Sequence, residues 1–238
     1  MRVAFISDIH GNAVALDAVL NDINKKAVDQ IFVLGDICFK GPEPKRSLDL
    51  LRSINAEIIK GNAEEWMVRG IREEEVSPTA FEMMKKERDW GFNQLDEDSI
   101  QYLKNLPSEL KVQLGNVKIH AFHATPNNLF KMVQPFESDE VLKEKLMMND
   151  ADIYLYAHIH KPFIRYINGK CLINTGSVGM PFDGMQMASY VLLDIEEDYF
   201  HTTLVRVDYD VSKVIKQYEE FDYPNSTQMI QIMTNAGI

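Results

Sequence analysis

The chain has 238 residues, of which 45% are hydrophobic, and it carries a formal net charge of -11 at pH 7. This length predicts one domain spanning residues 1–238, with or without an insertion, and with enough apolar residues for a sizeable core. The negative charge argues against a general nucleic-acid binder or a protein held on anionic membranes, because both carry basic clusters.

The sequence also indicates a cellular compartment. Its apolar runs are too short to span a bilayer, and its first residues, which include Arg2 and Asp8, are unlike a signal peptide. The two cysteines, Cys38 and Cys171, form neither a disulfide framework nor a zinc motif. We therefore expect a soluble cytoplasmic protein with no membrane partner and no stable nucleic-acid binding.

The first predicted strand, residues 2–6, leads into a turn with two residues suited to a metal site. Because residues two apart on a strand point the same way, Asp8 and His10 are expected to face one point beyond its carboxyl end. The alternative is an ordinary strand-to-helix turn, in which Gly11 permits a tight bend and Asn12 caps the helix.

Two further predicted strands end in the same way. Residues 31–34 lead into Gly35 and Asp36, and residues 56–60 lead into Gly61 and Asn62. A helix is predicted before each of these strands, and such alternation is typical of parallel strands with right-handed crossovers. Ligands of such sheets bind outside the carboxyl ends of the strands.

The segment 64–108 lacks a strand pattern and is rich in Glu, Lys, Arg and Met. We predict helices over about 64–73, 79–91 and 96–105. This helical insertion would either cap a site or only pack on the side of the domain. Within it we expect Trp66 to serve packing.

Strands return in the second half of the chain. Residues 110–114 and 117–122 are predicted to form a hairpin that leads into His123, with His120 structural on the opposite face. A strand over 153–157 then ends in His158 and His160, again two residues apart. Before that strand we predict a helix at 138–148. After it we predict a hairpin within 163–173, strands at 187–195 and 200–208, a helix from about 210, and a final short helix or loose tail at 223–238.

Seven potential metal ligands thus follow predicted strands. They are Asp8, His10, Asp36, Asn62, His123, His158 and His160. Imidazole, carboxylate and amide groups together suit Mn, Fe, Zn or Co better than calcium. Seven ligands are too many for one such ion and fit two, which lie roughly 3.5–4 Å apart when a carboxylate bridges them.

These segments resemble the motifs of the calcineurin-like metallophosphoesterases. The family pattern is Asp-x-His, then Gly-Asp, then Gly-Asn-His-Asp/Glu, then a His at a strand end, then Gly-His-x-His. The corresponding segments here are SDIHG, GDICFKG, GNAEE, FHATP and AHIH, and NTGSVG is similar to the Asn-Pro-Gly-Ser stretch of small bacterial members. The resemblance covers most of the chain outside 64–108.

The resemblance implies an α/β fold, a four-layer α-β-β-α sandwich, with two metal ions at the edge of the sheets. The two implied ligand sets share one residue and are Asp8, His10, Asp36 and His160, and Asp36, Asn62, His123 and His158. Asp36, Asn62 and His123 would take part in catalysis, with water as the nucleophile. We expect two divalent ions, with manganese first and iron, zinc, cobalt or nickel as alternatives.

One position departs from the family pattern. The histidine that follows Gly-Asn in the family is Ala63 here. That histidine is assigned to stabilising or protonating the leaving oxygen. Its absence predicts poor hydrolysis of esters with poor leaving groups.

We therefore expect a phosphoesterase that acts on phosphodiesters or phosphoanhydrides of small molecules or nucleotides, such as diadenosine tetraphosphate. The alternatives are a phosphomonoesterase, including a protein phosphatase, and a non-catalytic scaffold of the same fold. Retention of seven ligand residues argues against the scaffold. Lys40, Arg69 and Arg72 are candidate substrate-binding residues, and each is alternatively a solvated surface cation.

Overall fold

The computed structural model describes residues 1–237 and contains two five-stranded mixed sheets with helices on both outer faces. The strands are β1 Arg2–Ile6, β2 Gln30–Val33, β3 Ala56–Ile58, β4 Glu109–Leu114, β5 Val117–Phe122, β6 Ile153–Tyr156, β7 Phe163–Ile167, β8 Lys170–Asn174, β9 Ala188–Glu196 and β10 Tyr199–Val207. The helices are α1 Ala13–Lys25, α2 Pro44–Arg52, α3 Asn62–Arg69, α4 Pro78–Phe92, α5 Glu97–Asn105, α6 Asp139–Leu146, α7 Val211–Glu220 and α8 Ser226–Asn235, with a 3-10 turn at Glu73–Glu75.

The first sheet has the order β10-β9-β1-β2-β3, and the second has the order β4-β5-β6-β8-β7. β1, β2 and β3 are parallel, as the alternation of strands and helices predicted. β5, β6 and β8 form a second parallel group. The carboxyl ends of these strands therefore supply two rims on which polar residues can meet.

The two sheets pack face to face through a large apolar cluster. Phe5 of β1 stacks on Phe32 of β2 with ring centroids 4.7 Å apart, and both contribute to the cluster that joins the inner faces. Ala4 and Ile6 alternate to the outer face, where α1 and α2 cover the sheet. Because α6 covers the outer face of the second sheet, the predicted four-layer sandwich is confirmed.

The predicted helices of segment 64–108 form, but they differ in how deeply they pack. α3 begins at Asn62, and its residues Ala63, Trp66 and Met67 are buried in the main core. α4 buries only Glu87 and Gly91 among its residues. The predicted start of the insertion at 64 therefore falls inside a core helix, and α4 is the peripheral part of the segment.

The final segment is helical, which agrees with one of the two predicted alternatives. α7 and α8 pack together around Tyr218, Met229 and Met233. Within residues 1–237, no helix is both long and apolar enough to cross a membrane.

Candidate metal centre

The residues that follow the parallel strands converge at one edge of the two sheets. The first sheet delivers Asp8, His10, Asp36 and Asn62, and the second delivers His123, His158 and His160. Six of the seven form two groups of three. Within each group, the ligand nitrogen and oxygen atoms lie within 4.8 Å of one another. These are the first group, Asp8, His10 and His160, and the second group, Asp36, His123 and His158.

The first group presents three acceptor atoms to one another. His160 Nε2 lies 3.1 Å from both Asp8 Oδ1 and His10 Nε2. The Nδ1 atoms of His10 and His160 lie 2.8 Å from Phe39 O and 2.6 Å from Met180 O, which assigns a donating N–H to each Nδ1 and leaves a lone pair on each Nε2. Within residues 1–237, buried Asp8 Oδ1 has no hydrogen-bond partner. A bound cation is the natural partner for such a cluster, so the residues fit a metal.

The second group follows the same logic. His123 Nε2 lies 2.9 Å from Asn62 Oδ1, 3.4 Å from Asp36 Oδ1 and 3.3 Å from His158 Nδ1. His123 Nδ1 is 2.7 Å from Leu34 O, which orients the ring. This places an amide oxygen, a carboxylate and two imidazoles around one point and brings in Asn62, the seventh predicted ligand.

Asp36 lies between the two groups. Its Oδ1 faces His123, while its Oδ2 is 3.6 Å from His10 Nε2. One carboxylate thus reaches both sets of imidazoles, which is the geometry that a bridging ligand requires.

Burial sets the protonation of the ligands. It lowers the pKa of His10 and of His158 to about 3, with help from the neighbouring histidines, so both rings are neutral as metal ligands must be. Burial, together with the carboxylates of Glu64 and Asp8, raises the pKa of Asp36 well above its usual range.

The backbone explains how the ligands come together, and it corrects part of the sequence argument. β1 ends at Ile6 and β6 ends at Tyr156. The pair Asp8 and His10 and the pair His158 and His160 therefore lie beyond the ends of these strands. Positive φ angles are found at five ligands, namely Asp8 (51°), His10 (49°), Asp36 (56°), His158 (69°) and His160 (56°). The spacing of two predicted the convergence, but left-handed turns produce it in place of strand alternation.

The Asn174–Gly179 turn supports Asp8 from behind. Ser177 Oγ donates to Asp8 O at 2.7 Å, and Ser7 Oγ donates to Asp8 Oδ2 at 2.6 Å. The second carboxylate oxygen is therefore held in place while Oδ1 faces the site. A Cβ at Gly179 would lie 1.8 Å from Ile9 O, which explains a glycine there.

Glu64 is a residue whose role the sequence argument missed. Its carboxylate is fully buried and accepts from the backbone N–H groups of Asp36 (2.7 Å), Ile37 (2.7 Å) and Gly61 (2.8 Å). It thereby ties the loop of Asp36 to the loop of Asn62. The family's Asp/Glu position after Gly-Asn was the available signal.

The two groups open into a cavity of about 200 Å³. One wall has the ligands, and the others include Trp66, Met180 and Phe182. Gln228 and Ile232 of α8 complete the lining, so the end of the chain reaches the site. This contact could not be anticipated, because α8 contains none of the motif residues.

The three candidate substrate residues have different surroundings. Lys40 lines the cavity. The guanidinium of Arg69 is engaged by Glu65 and Glu75, and Arg72 is exposed on the surface. A substrate contact for Arg69 and Arg72 stays a prediction. His120, expected to be structural, is buried and lies 2.8 Å from Glu109.

Comparison with known proteins agrees with the geometry. Residues 1–198 match the sequence profile of the calcineurin-like phosphoesterase superfamily domain. An uncharacterized protein of Methanocaldococcus jannaschii is 31% identical over 232 residues, which cover 90% of each chain. A metallophosphoesterase structure from Sphaerobacter thermophilus superposes with a TM-score of 0.79 at 26% identity over 99% of both chains. A hypothetical protein from Pyrococcus horikoshii shares the fold, with a TM-score of 0.85 at 18% identity over 99% and 98% of the two chains.

Proposed function

Because the chain belongs to the calcineurin-like phosphoesterase superfamily, we propose that it hydrolyses phosphodiester or phosphoanhydride bonds with two divalent ions, manganese first. One observation carries this proposal: two clusters of buried lone pairs meet at the shared carboxylate of Asp36. A scaffold has no need of such a cluster.

The residues divide the work. When bound, two divalent ions would neutralise phosphate oxygens and lower the pKa of a water molecule. The ring orientations of His10, His123 and His160 are set by backbone carbonyls, so their Nε2 atoms are aimed before any ligand arrives. Trp66 and Phe182 line the cavity with apolar surface, which limits the access of bulk water.

The choice of bond follows from Ala63. Its methyl group is fully buried, and it stands where the family pattern has a histidine. General acid assistance is typically worth about 10²–10⁴-fold, so its loss matters most for alkoxide leaving groups. The leaving groups of activated diesters and of phosphoanhydrides, including those of nucleotides, depart without such help.

The test is a screen of substrates with the purified protein and added Mn²⁺. We expect bis-p-nitrophenyl phosphate and inorganic or nucleoside polyphosphates to be hydrolysed faster than glycerol phosphate. Elemental analysis should find about two transition-metal ions per chain.

An Asp36→Asn variant is the matched control for the metal centre. It should lose most of its activity and at least one ion while it keeps its far-UV circular dichroism spectrum. Preferential hydrolysis of alkyl monoesters would instead establish the phosphomonoesterase alternative. A protein that holds no metal ions and cleaves none of these compounds would support the scaffold.

A further inference from the structure

One cation that belongs to neither ligand group faces the cavity. Lys40 is in the loop after β2, lines the cavity and has a side chain that is 26% exposed. Its carbonyl accepts a hydrogen bond of 2.8 Å from the hydroxyl of Tyr218, which anchors the backbone at this point.

A buried carboxylate lies behind Lys40. Glu87 of α4 is 1% exposed, and its Oε2 is 3.8 Å from Lys40 Nζ. Within residues 1–237 this oxygen has no hydrogen-bond partner, while Oε1 accepts from Asn225 Nδ2 at 3.1 Å. Since a buried carboxylate is costly unless it is paired, the ammonium of Lys40 is the group that accounts for Glu87.

The same network reaches the cavity a second time. Asn225 Nδ2 also donates to Gln228 Oε1 at 2.8 Å, and Gln228 lines the cavity. Glu87 thus connects the peripheral helix α4 to two polar residues of the cavity wall. The network joins one buried carboxylate to more exposed partners at the cavity wall.

The ion pair leaves Lys40 able to bind an anion. A separation of 3.8 Å is an ion pair without a hydrogen bond, so the N–H donors remain available for another acceptor. Two divalent ions held by the ligand groups would balance the charge of the reacting phosphate. Lys40 lies outside both groups, so the anion that it meets is a neighbouring group of the substrate.

We propose that Lys40 selects substrates with a second anionic phosphate next to the scissile bond, and that Glu87 is its positioning residue. This inference rests on the proposed function, and it narrows the substrate to phosphoanhydrides over simple diesters. It also gives α4 a part in specificity, although α4 supplies no metal ligand.

The experiment measures inhibition of bis-p-nitrophenyl phosphate hydrolysis by pyrophosphate and by orthophosphate, with Mn²⁺ in excess over each anion. Lys40→Met should weaken inhibition by pyrophosphate by about 10-fold or more, which is the loss of one charge-assisted hydrogen bond. Inhibition by orthophosphate and the metal content should change little. Lys145→Met is the matched control, because Lys145 is 25% exposed and lies 3.8 Å from Glu137.

Glu87→Gln keeps the side-chain shape and should weaken pyrophosphate inhibition in the same direction. Pyrophosphate should inhibit the double variant Lys40→Met/Glu87→Gln as strongly as it inhibits Lys40→Met alone, because the two residues act as a unit. The positioning role would be overturned if the fold-losses of the two single variants multiplied in the double variant. It would also be overturned if pyrophosphate inhibited Glu87→Gln more tightly than the wild type. Thermal unfolding of each variant separates these results from loss of fold.

The two proposals fail in different ways. If wild-type protein with Mn²⁺ hydrolyses none of the phosphoesters, the proposed function is wrong. If it hydrolyses them and Lys40→Met leaves the preference for pyrophosphate over orthophosphate unchanged, the role of Lys40 alone is wrong.

Discussion

Replacing Glu64 by Gln should damage the metal centre without touching a metal ligand. The carboxylate accepts three backbone N–H groups, two on Oε2 and one on Oε1. A glutamine has one acceptor oxygen, so its amide nitrogen must face at least one buried N–H. That unsatisfied donor costs about 1–3 kcal/mol, and loss of the negative charge weakens the remaining two bonds.

We therefore expect Glu64→Gln to lower the free energy of unfolding of the metal-free protein by about 2–4 kcal/mol. This is a large share of the ~5–15 kcal/mol that holds a typical domain together. Because Glu64 also orients the loops of Asp36 and Asn62, we expect Mn²⁺ to bind about 10–100-fold more weakly. Urea unfolding followed by circular dichroism, and calorimetric titration with Mn²⁺, measure the two effects.

The neighbouring residue provides the control. Glu65 is on the same helix, is 32% exposed and pairs with Arg69 at 3.0 Å and Lys60 at 3.7 Å. Glu65→Gln should cost less than about 1 kcal/mol, as exposed ion pairs do, and should leave Mn²⁺ affinity unchanged. Equal unfolding free energies for the two variants would refute the role assigned to Glu64.

Two further predictions concern space and protonation at the centre. Gly61→Ala should abolish tight Mn²⁺ binding in a titration, because a Cβ there would lie 2.2 Å from Asp36 Oδ1. Gly91→Ala in α4 is the control: its Cβ would meet only ordinary contacts of 3.4 Å or more, so this variant should bind Mn²⁺ normally. The pKa of His10 and of His158 is about 3, so from pH 6.5 down to that value the unfolded chain binds protons that the folded, metal-free chain does not. As the pH decreases over this range, these two histidines together lower the unfolding free energy by at most about 2.7 kcal/mol per pH unit, and the raised pKa of Asp36 opposes them. A rise in the unfolding free energy from about pH 7 to about pH 5 in urea titrations would contradict this.

The strands and the metal ligands were predictable because their signals are local. An apolar run followed by Gly-Asp or by His-x-His marks both a strand and its end, and parallel order then brings those ends together. Asp36 and His123 are 87 positions apart in the numbering, yet each is identified by the strand before it. The hairpin at Gly115 was recognisable for the same reason, since the turn needs a positive φ, and the structure has +61° there.

The walls of the cavity were not predictable in this way. Gln228 belongs to an amphipathic helix whose sequence is that of any surface helix, and only tertiary packing brings it to the cavity. Glu87 has the same character: a glutamate among the charged residues of α4 gives no sign that it is buried. Long-range contacts between elements without motifs depend on how the helices pack, and a single sequence does not state that.

The left-handed turns link the fold to the chemistry of the centre. A non-glycine residue in that region costs of order 1–3 kcal/mol, and such a cost persists only where the surrounding structure enforces it. Here the ladder between β1 and β2 continues past the strand ends, with Asp8 N donating to Gly35 O at 3.0 Å and His10 N to Asp36 O at 2.9 Å. The two ligand loops are therefore locked to each other by backbone hydrogen bonds before any cation binds. A cation that enters such a site meets ligands that are already in position. Binding therefore does not have to include the free-energy cost of ordering them, and the affinity is higher than for a flexible site with the same ligands.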